Sequence, residues 1–155
     1  MIARAPGVFP PGLVCEAPAI NLDFLPTCLA AAGLALPEDR IIDGLDITPL
    51  LTGASSRSPH EYLYFYHHGE LEGIRSGDWK YFREISHYAW PMPTNKKLGF
   101  LANHTTGPLP LLHNLATDPG EAYNLAERYP EVVNALDAAM TAWENGLAEN
   151  LLGVL

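Results

Sequence analysis

The chain has 155 residues, of which 48% are hydrophobic and 17% are charged, and its formal net charge is −9. This composition is typical of a soluble folded domain and excludes a disordered chain. The negative charge disfavours nucleic acid as a partner, and because no run of 18 apolar residues is present we expect no membrane-spanning helix.

The first third of the chain is predicted to hold turns and short helices. Residues 1–19 are rich in proline and glycine and are predicted to form an extended segment. A helix is predicted over residues 21–32, with Asn21 as its cap and Gly33 as the left-handed residue after its end. Thr48 to Leu51 are predicted to form a helical turn that ends at Gly53.

After residue 60 the pattern changes from helical to strand-like. The predicted strands are residues 62–66, 71–75, 79–82 and 109–115, and the second and third are expected to form a hairpin. Residues 84–108 have no clear period. A loop of that length in a small domain is usually functional or mobile.

The last predicted element is a helix that begins at Pro130 and runs for about five to six turns. Its apolar stripe repeats at steps of three and four and comprises Val133, Leu136, Met140, Trp143, Leu147 and Leu151. The opposite face is predicted to carry Asn134, Asp137, Glu144 and Glu149. Since such a stripe must be buried, the sequence predicts an α+β fold in which a small antiparallel sheet of about four strands is packed by a long C-terminal helix.

The residues alone predict no self-contained active site. No serine lies in a G-x-S-x-G turn. Cys15 and Cys28 have no zinc-site spacing, so both are predicted to be inert core thiols, and a disulfide between them is the alternative left open. His67 and His68 are predicted to point to opposite faces of a strand and so not to share a metal. The carboxylate pairs 70/72 and 43/46 are predicted to be turn and surface polar groups.

Arg75 and Lys80 flank the predicted hairpin turn and leave two alternatives open. A basic pair at this place could face an anionic ligand. It could equally belong to a solvated hairpin with charge pairs across the strands, which is the interpretation that we prefer.

Five segments taken together resemble the C-terminal portion of the sulfatase family. They are residues 4–12 (RAPGVFPPG), 22–27 (LDFLPT), 43–53 (DGLDITPLLTG), 73–81 (GIRSGDWKY) and 118–125 (DPGEAYNL). They occur in the family's order and cover nearly the whole chain. One departure is His113-Asn114, where the family usually has Tyr-Asp.

The resemblance implies how the chain is divided. Residues 1–53 would be the tail of an alkaline-phosphatase-like α/β catalytic domain, and residues 54–155 would be the C-terminal subdomain. The family's nucleophile is a Cys or Ser in a C/S-x-P-x-R motif, converted to formylglycine, and its calcium ion is held by Asp and Asn. Neither Cys15 nor Cys28 begins such a motif. We therefore expect no cofactor in this chain, and calcium in the missing N-terminal domain.

The resemblance also implies a substrate-contacting region. Loops of the subdomain help to shape the family's substrate cleft, which places specificity contacts in residues 84–108. Arg83, His87, Trp90 and His104 are the side chains predicted to bind a sulfated small molecule or glycan. The apolar side chains of residues 21–53, which would pack against the missing domain, are expected to be exposed.

The expected function is that of a C-terminal sulfatase fragment, which completes the fold and the substrate cleft and is not catalytic alone. Its expected partner is the missing N-terminal sulfatase domain. Two alternatives are a non-catalytic binding module and a fragment of a related phosphonate or phosphate ester hydrolase. No secretory signal is visible, and the sequence does not assign a compartment.

Overall fold

The computed structural model describes residues 1–85, 109–150 and 153. It divides the chain into two units, which are described separately. Unit 1 comprises Met1–Glu61 with Asn150–Leu155, and unit 2 comprises Tyr62–Glu149.

Unit 1 contains a 3₁₀ turn at Asn21–Asp23, helix α1 at Phe24–Ala31 and helix α2 at Thr48–Thr52. Gly33 and Gly53 follow the two helices at φ of +69° and +79°, which confirms both predicted helix ends. The prediction that Asn21 caps the first helix is wrong. Asp23 is at the N-cap position of α1, but its side chain accepts no N–H of that helix. Its carboxylate accepts the Ile20 N–H at 2.9 Å, at the start of the 3₁₀ turn.

Unit 2 is built on one antiparallel sheet in the order β1-β2-β3-β4, which confirms the predicted four-stranded sheet. The strands are β1 at Leu63–His67, β2 at Glu70–Ser76, β3 at Trp79–Phe82 and β4 at Leu111–Asn114. Between β1 and β2 the two turn residues, His68 and Gly69, have φ of +48° and +88°. Two positive φ angles are typical of a type I′ turn, whose twist suits a tight hairpin.

Strand β2 contains a bulge at Glu72. Phe65 pairs with Gly73 and Tyr66 pairs with Leu71, so Glu72 is one residue too many for its neighbour strand. Its carbonyl oxygen accepts the N–H of Arg83 at 2.9 Å. The Glu72 side chain is buried, so the prediction of a surface carboxylate is wrong here, because a bulge breaks the regular alternation of side chains.

Helix α3 at Pro130–Glu149 covers one face of the sheet, as predicted. Its Leu136 and Met140 are buried, and the core they share consists of Leu71, Ile74, Tyr81, Leu112 and Ala126. Leu147, in the predicted stripe, is exposed, and Leu151 lies outside the described residues.

The segment after β4 is fixed along that strand by an asparagine. The Leu112 N–H donates to the Asn124 side-chain oxygen at 3.0 Å, and the Asn124 amide donates to the Pro110 carbonyl at 3.0 Å. The Leu125 N–H then donates to the Leu112 carbonyl at 2.8 Å. The two side-chain bonds explain the Asn of the D-P-x-E-x-x-N-L segment.

Candidate functional site

Arg83 immediately follows β3 and lies against helix α3. Its Nε donates to Asp137 Oδ1 at 2.7 Å, and one terminal nitrogen donates to Glu144 Oε2 at 2.9 Å. The other donates to the Asp137 carbonyl at 3.1 Å and to Thr141 Oγ1 at 3.0 Å. The planar guanidinium suits such a set of acceptors, and its effect is to join the end of the sheet to the helix.

The helical pattern placed Asp137 and Glu144 on the face opposite the apolar stripe. In the structure that face is not purely solvated, because both carboxylates accept hydrogen bonds from Arg83. Burial alone would raise the pKa of Asp137, but the hydrogen bonds from Arg83 and Tyr81 outweigh it and lower that pKa. Burial alone would lower the pKa of Arg83, but its carboxylate partners raise it above its ordinary value. Burial and the bond to Asp137 raise the pKa of Tyr81 to about 12.

The other three predicted substrate-contacting residues, His87, Trp90 and His104, lie outside the described residues. Of the four predicted substrate-contacting residues, the structure describes only Arg83. Substrate binding by Arg83 stays a prediction.

Lys80 has a partner beyond the hairpin on which it lies. Its ammonium group is 2.6 Å from Glu121 Oε1 and lies 5.1 and 5.0 Å from the ring centres of Phe65 and Phe82. Arg75, opposite it, donates to the Gly77 carbonyl at 3.0 Å. The preferred interpretation of charge pairs across the hairpin strands is therefore wrong, because the turn at Glu121 approaches β3.

His113, where the sequence departs from the sulfatase pattern, has a structural partner. The side chain is buried, and its Nδ1 donates to the Tyr123 carbonyl at 3.0 Å. Hydrogen bonds from the N–H groups of Tyr123 and Ala122 lower the pKa of Asp118 in the same turn. His113 thus helps to hold the 118–123 turn against β4.

His67 and His68 do not simply point to opposite faces. Their ring centres are 4.2 Å apart in an edge-to-face arrangement, because His68 leaves the strand at positive φ. His67 is half-buried and His68 is exposed, as expected for the end of a strand.

The described residues do not fit the calcium site that the resemblance associates with the family. No group of three or more His, Cys, Asp or Glu side chains in residues 1–85, 109–150 and 153 is arranged to hold a metal ion. The buried Asp23 accepts hydrogen bonds from protein groups, and Asp46 accepts the N–H and hydroxyl of Thr48. Cys15 and Cys28 are both exposed, so the prediction of core thiols is wrong.

Asp23 and His60 form a buried pair that the sequence analysis did not single out. His60 Nε2 donates to Asp23 Oδ1 at 2.8 Å, and the two residues are separated by 36 others. The sequence signal that could have indicated a role for Asp23 is its place in the sulfatase-like LDFLPT segment.

The family described as the C-terminal region of aryl-sulfatase matches residues 58–153. The chain belongs to the sulfatase family. Steryl-sulfatase of Mus musculus is 37% identical over 91% of this chain and 25% of its own length, and arylsulfatase A of Homo sapiens is 37% identical over 87% of this chain and 28% of its own length.

Solved structures agree with this assignment of the fold. A sulfatase from Pseudoalteromonas sp. has a TM-score of 0.58 at 20% identity, with 79% of this chain and 24% of that chain covered. A Bacteroides thetaiotaomicron protein, solved in work on the metabolism of multiple glycosaminoglycans, has a TM-score of 0.57 at 27% identity, with 79% and 24% covered.

The sulfatase chain spans about a quarter of the length of the curated relatives it matches. The match lies in their C-terminal region. In the part of the chain that the structure describes, no helix is both long and apolar enough to cross a bilayer.

Proposed function

We propose that this chain supplies the C-terminal, non-catalytic part of a sulfuric ester hydrolase and completes its fold and its substrate cleft. The observation that carries the proposal is the combination of a family match over residues 58–153 with the absence of a C/S-x-P-x-R motif anywhere in the 155 residues. The nucleophile and the calcium ion would belong to the sulfatase portion that precedes this region.

The names of the relatives support the proposed substrate class. Steryl-sulfatase and arylsulfatase A are named for sulfate esters, which supports a sulfate ester as the substrate. The net charge of −9 would repel an anionic ester, so local cations or the metal must offset it.

The contacts of this chain with the substrate would come from residues 84–108, with His87, Trp90 and His104 as the candidate side chains. Arg83 immediately precedes that segment and already makes four N–H···O bonds to α3. A sulfate would have to be bound in addition to these bonds. The fixed guanidinium supports a role in holding the start of the segment in place.

The test is a chimera in which residues 1–155 replace the matching quarter of Mus musculus steryl-sulfatase. We expect the chimera to hydrolyse 4-nitrophenyl sulfate and residues 1–155 alone to be inactive. The control is the same enzyme with that quarter deleted, which should be inactive. A folded but inert chimera would contradict the completing role.

A further inference from the structure

Residues 53–62 join α2 to β1 and contain no helix or strand, and we call them the linker. Small and polar residues predominate in it, and Ala54, Ser56, Arg57 and Pro59 are exposed. Exposed segments of this composition are preferred sites of proteolytic cleavage. The exposed arginine within the linker therefore offers a cleavage point to a protease that recognises arginine.

The hydrogen bonds around Arg57 are local. Its N–H donates to Ser55 Oγ at 3.1 Å, and its carbonyl accepts the Ser55 hydroxyl at 3.2 Å. The Ser55 N–H donates to the Pro49 carbonyl at 3.0 Å, a short way back along the chain. None of the contacts described for residues 54–59 joins them to a strand. The segment can therefore open and enter a protease cleft without unfolding either unit.

The three arginines of unit 2 that the structure describes lie in firmer surroundings. Arg75 lies in β2, which is paired on both sides. Arg83 donates to two carboxylates of α3. The Arg128 N–H donates to the Leu125 carbonyl at 3.0 Å, in the turn that leads into α3. Cleavage after these residues requires local structure to open first, which lowers its rate.

The Arg57–Ser58 bond lies at the boundary of two independent divisions of the chain. The match to the C-terminal region of aryl-sulfatase begins at residue 58. The first stretch of unit 1 ends at Glu61, and unit 2 begins at Tyr62. Cleavage at this bond would separate residues 1–57 from residues 58–155 without cutting a described helix or strand.

Two contacts within unit 1 would still join the two products. His60 Nε2 donates to Asp23 Oδ1 at 2.8 Å, and the two side chains are only 6% and 0% exposed. The Ile41 N–H donates to the Gly153 carbonyl at 2.6 Å. His60 and Gly153 both belong to the second product, whereas Asp23 and Ile41 belong to the first. Cleavage of the linker therefore leaves both contacts intact.

We propose that the Arg57–Ser58 bond is a processing site for an arginine-directed protease. The product is a two-chain protein held together by the Asp23–His60 pair and by the Ile41–Gly153 bond. In the reaction, the hydroxyl of a water molecule adds to the Arg57 carbonyl carbon, and the remaining hydrogen goes to the Ser58 nitrogen, which becomes a new amino terminus. The proposal involves no sulfate ester and does not depend on the proposed function.

The first measurement is the cleavage of residues 1–155 by an arginine-specific cysteine protease, followed for each bond by mass spectrometry. We expect the Arg57–Ser58 bond to be cut at least about tenfold faster than the Arg128–Tyr129 bond, because only the latter needs structure to open. The matched control is Arg57→Lys, which keeps the charge and should not yield the fragments 1–57 and 58–155. Equal rates at the two bonds overturn the processing site.

The second measurement is gel filtration of the cut protein over a dilution series. We expect both fragments to elute together at the volume of the uncut chain. His60→Phe removes the donor to Asp23, so the dissociation constant of the two fragments should rise by about tenfold or more. The matched control is His68→Phe, since His68 is exposed and its loss should leave that constant unchanged.

Each other result contradicts part of the proposal. Fragments that separate as soon as the native chain is cut overturn the two-chain product. Equal dissociation constants in His60→Phe and His68→Phe overturn the role of the Asp23–His60 pair. If circular dichroism shows that uncut His60→Phe does not fold, the chain shortened to residues 1–149 replaces it. That chain lacks Gly153, and fragments that bind each other as tightly as those of the full chain contradict the proposal.

Discussion

The guanidinium of Arg83 lies against the carboxylate of Asp137, with 2.7 Å between Nε and Oδ1. The contact joins the end of β3 to the middle of α3 and closes the sheet-helix core of unit 2. Because the two side chains are 29% and 42% exposed, solvent screens the pair and its contribution is smaller than that of a fully buried pair.

We expect Arg83→Met to lower the free energy of unfolding by about 1 kcal/mol, because it removes charge-assisted bonds to Asp137 and Glu144. Urea denaturation measures the change. The control is Arg75→Met, since Arg75 donates only to the Gly77 carbonyl in the described contacts and should matter less. Equal losses in the two variants would contradict a specific role for Arg83.

We expect the Asp137 carboxylate to make the stability of the chain fall in acid. The pKa of Asp137 is lowered in the folded chain, so its stabilising contribution is complete above the unfolded pKa, which is about 3.9. It is lost as the pH falls through the lower, folded pKa. The stability advantage of the native chain over Asp137→Asn should therefore be constant near neutrality and shrink below about pH 4. An advantage that did not change with pH would contradict this.

Gly44 is expected to tolerate no side chain. A Cβ placed there would collide with the Leu22 carbonyl oxygen, so Gly44→Ala must move backbone and should cost about 1–3 kcal/mol. The matched control is Gly146→Ala. Gly146 lies in α3 with open space where an added Cβ would stand, so that change should stabilise the chain by up to about 1 kcal/mol. Thermal denaturation of both variants checks the two opposite signs.

Thr27 fixes α1 in place, because its hydroxyl oxygen accepts the Ile47 N–H. Thr27→Val keeps the shape and removes the acceptor, so it leaves a buried N–H unpaired and should cost about 1–3 kcal/mol. Thr117→Val is the control, because Thr117 lies in an exposed turn. Hydrogen exchange of the Ile47 amide should rise in Thr27→Val alone, and an unchanged rate would count against the bond.

The strands and the helix of unit 2 could be predicted because the residues of each follow a single strand-like or helical pattern. The predicted bounds of β3 are those of the structure, and Pro130 begins α3 as predicted. The surroundings of single polar residues could not be predicted this way. Asp137 is polar by pattern, but its partner Arg83 is 54 residues away, and no local pattern reports such a contact.

Helix α1 also shows that a local sequence pattern predicts an element but not its distant contacts. Its apolar spacing correctly predicted a helix, and the resemblance to sulfatases predicted that its apolar residues would be exposed. The inward face could not be predicted, because it is fixed by Leu45, Ile47 and His60, which follow much later in the chain. Of the predicted substrate-contacting residues, only Arg83 is described.

We expect this sulfatase region not to be catalytic by itself. The most direct test is the rate of 4-nitrophenyl sulfate hydrolysis by purified residues 1–155 with calcium present, beside an equal amount of steryl-sulfatase. We expect no hydrolysis above that in buffer alone. Hydrolysis that increases in proportion to the amount of the purified chain would contradict it.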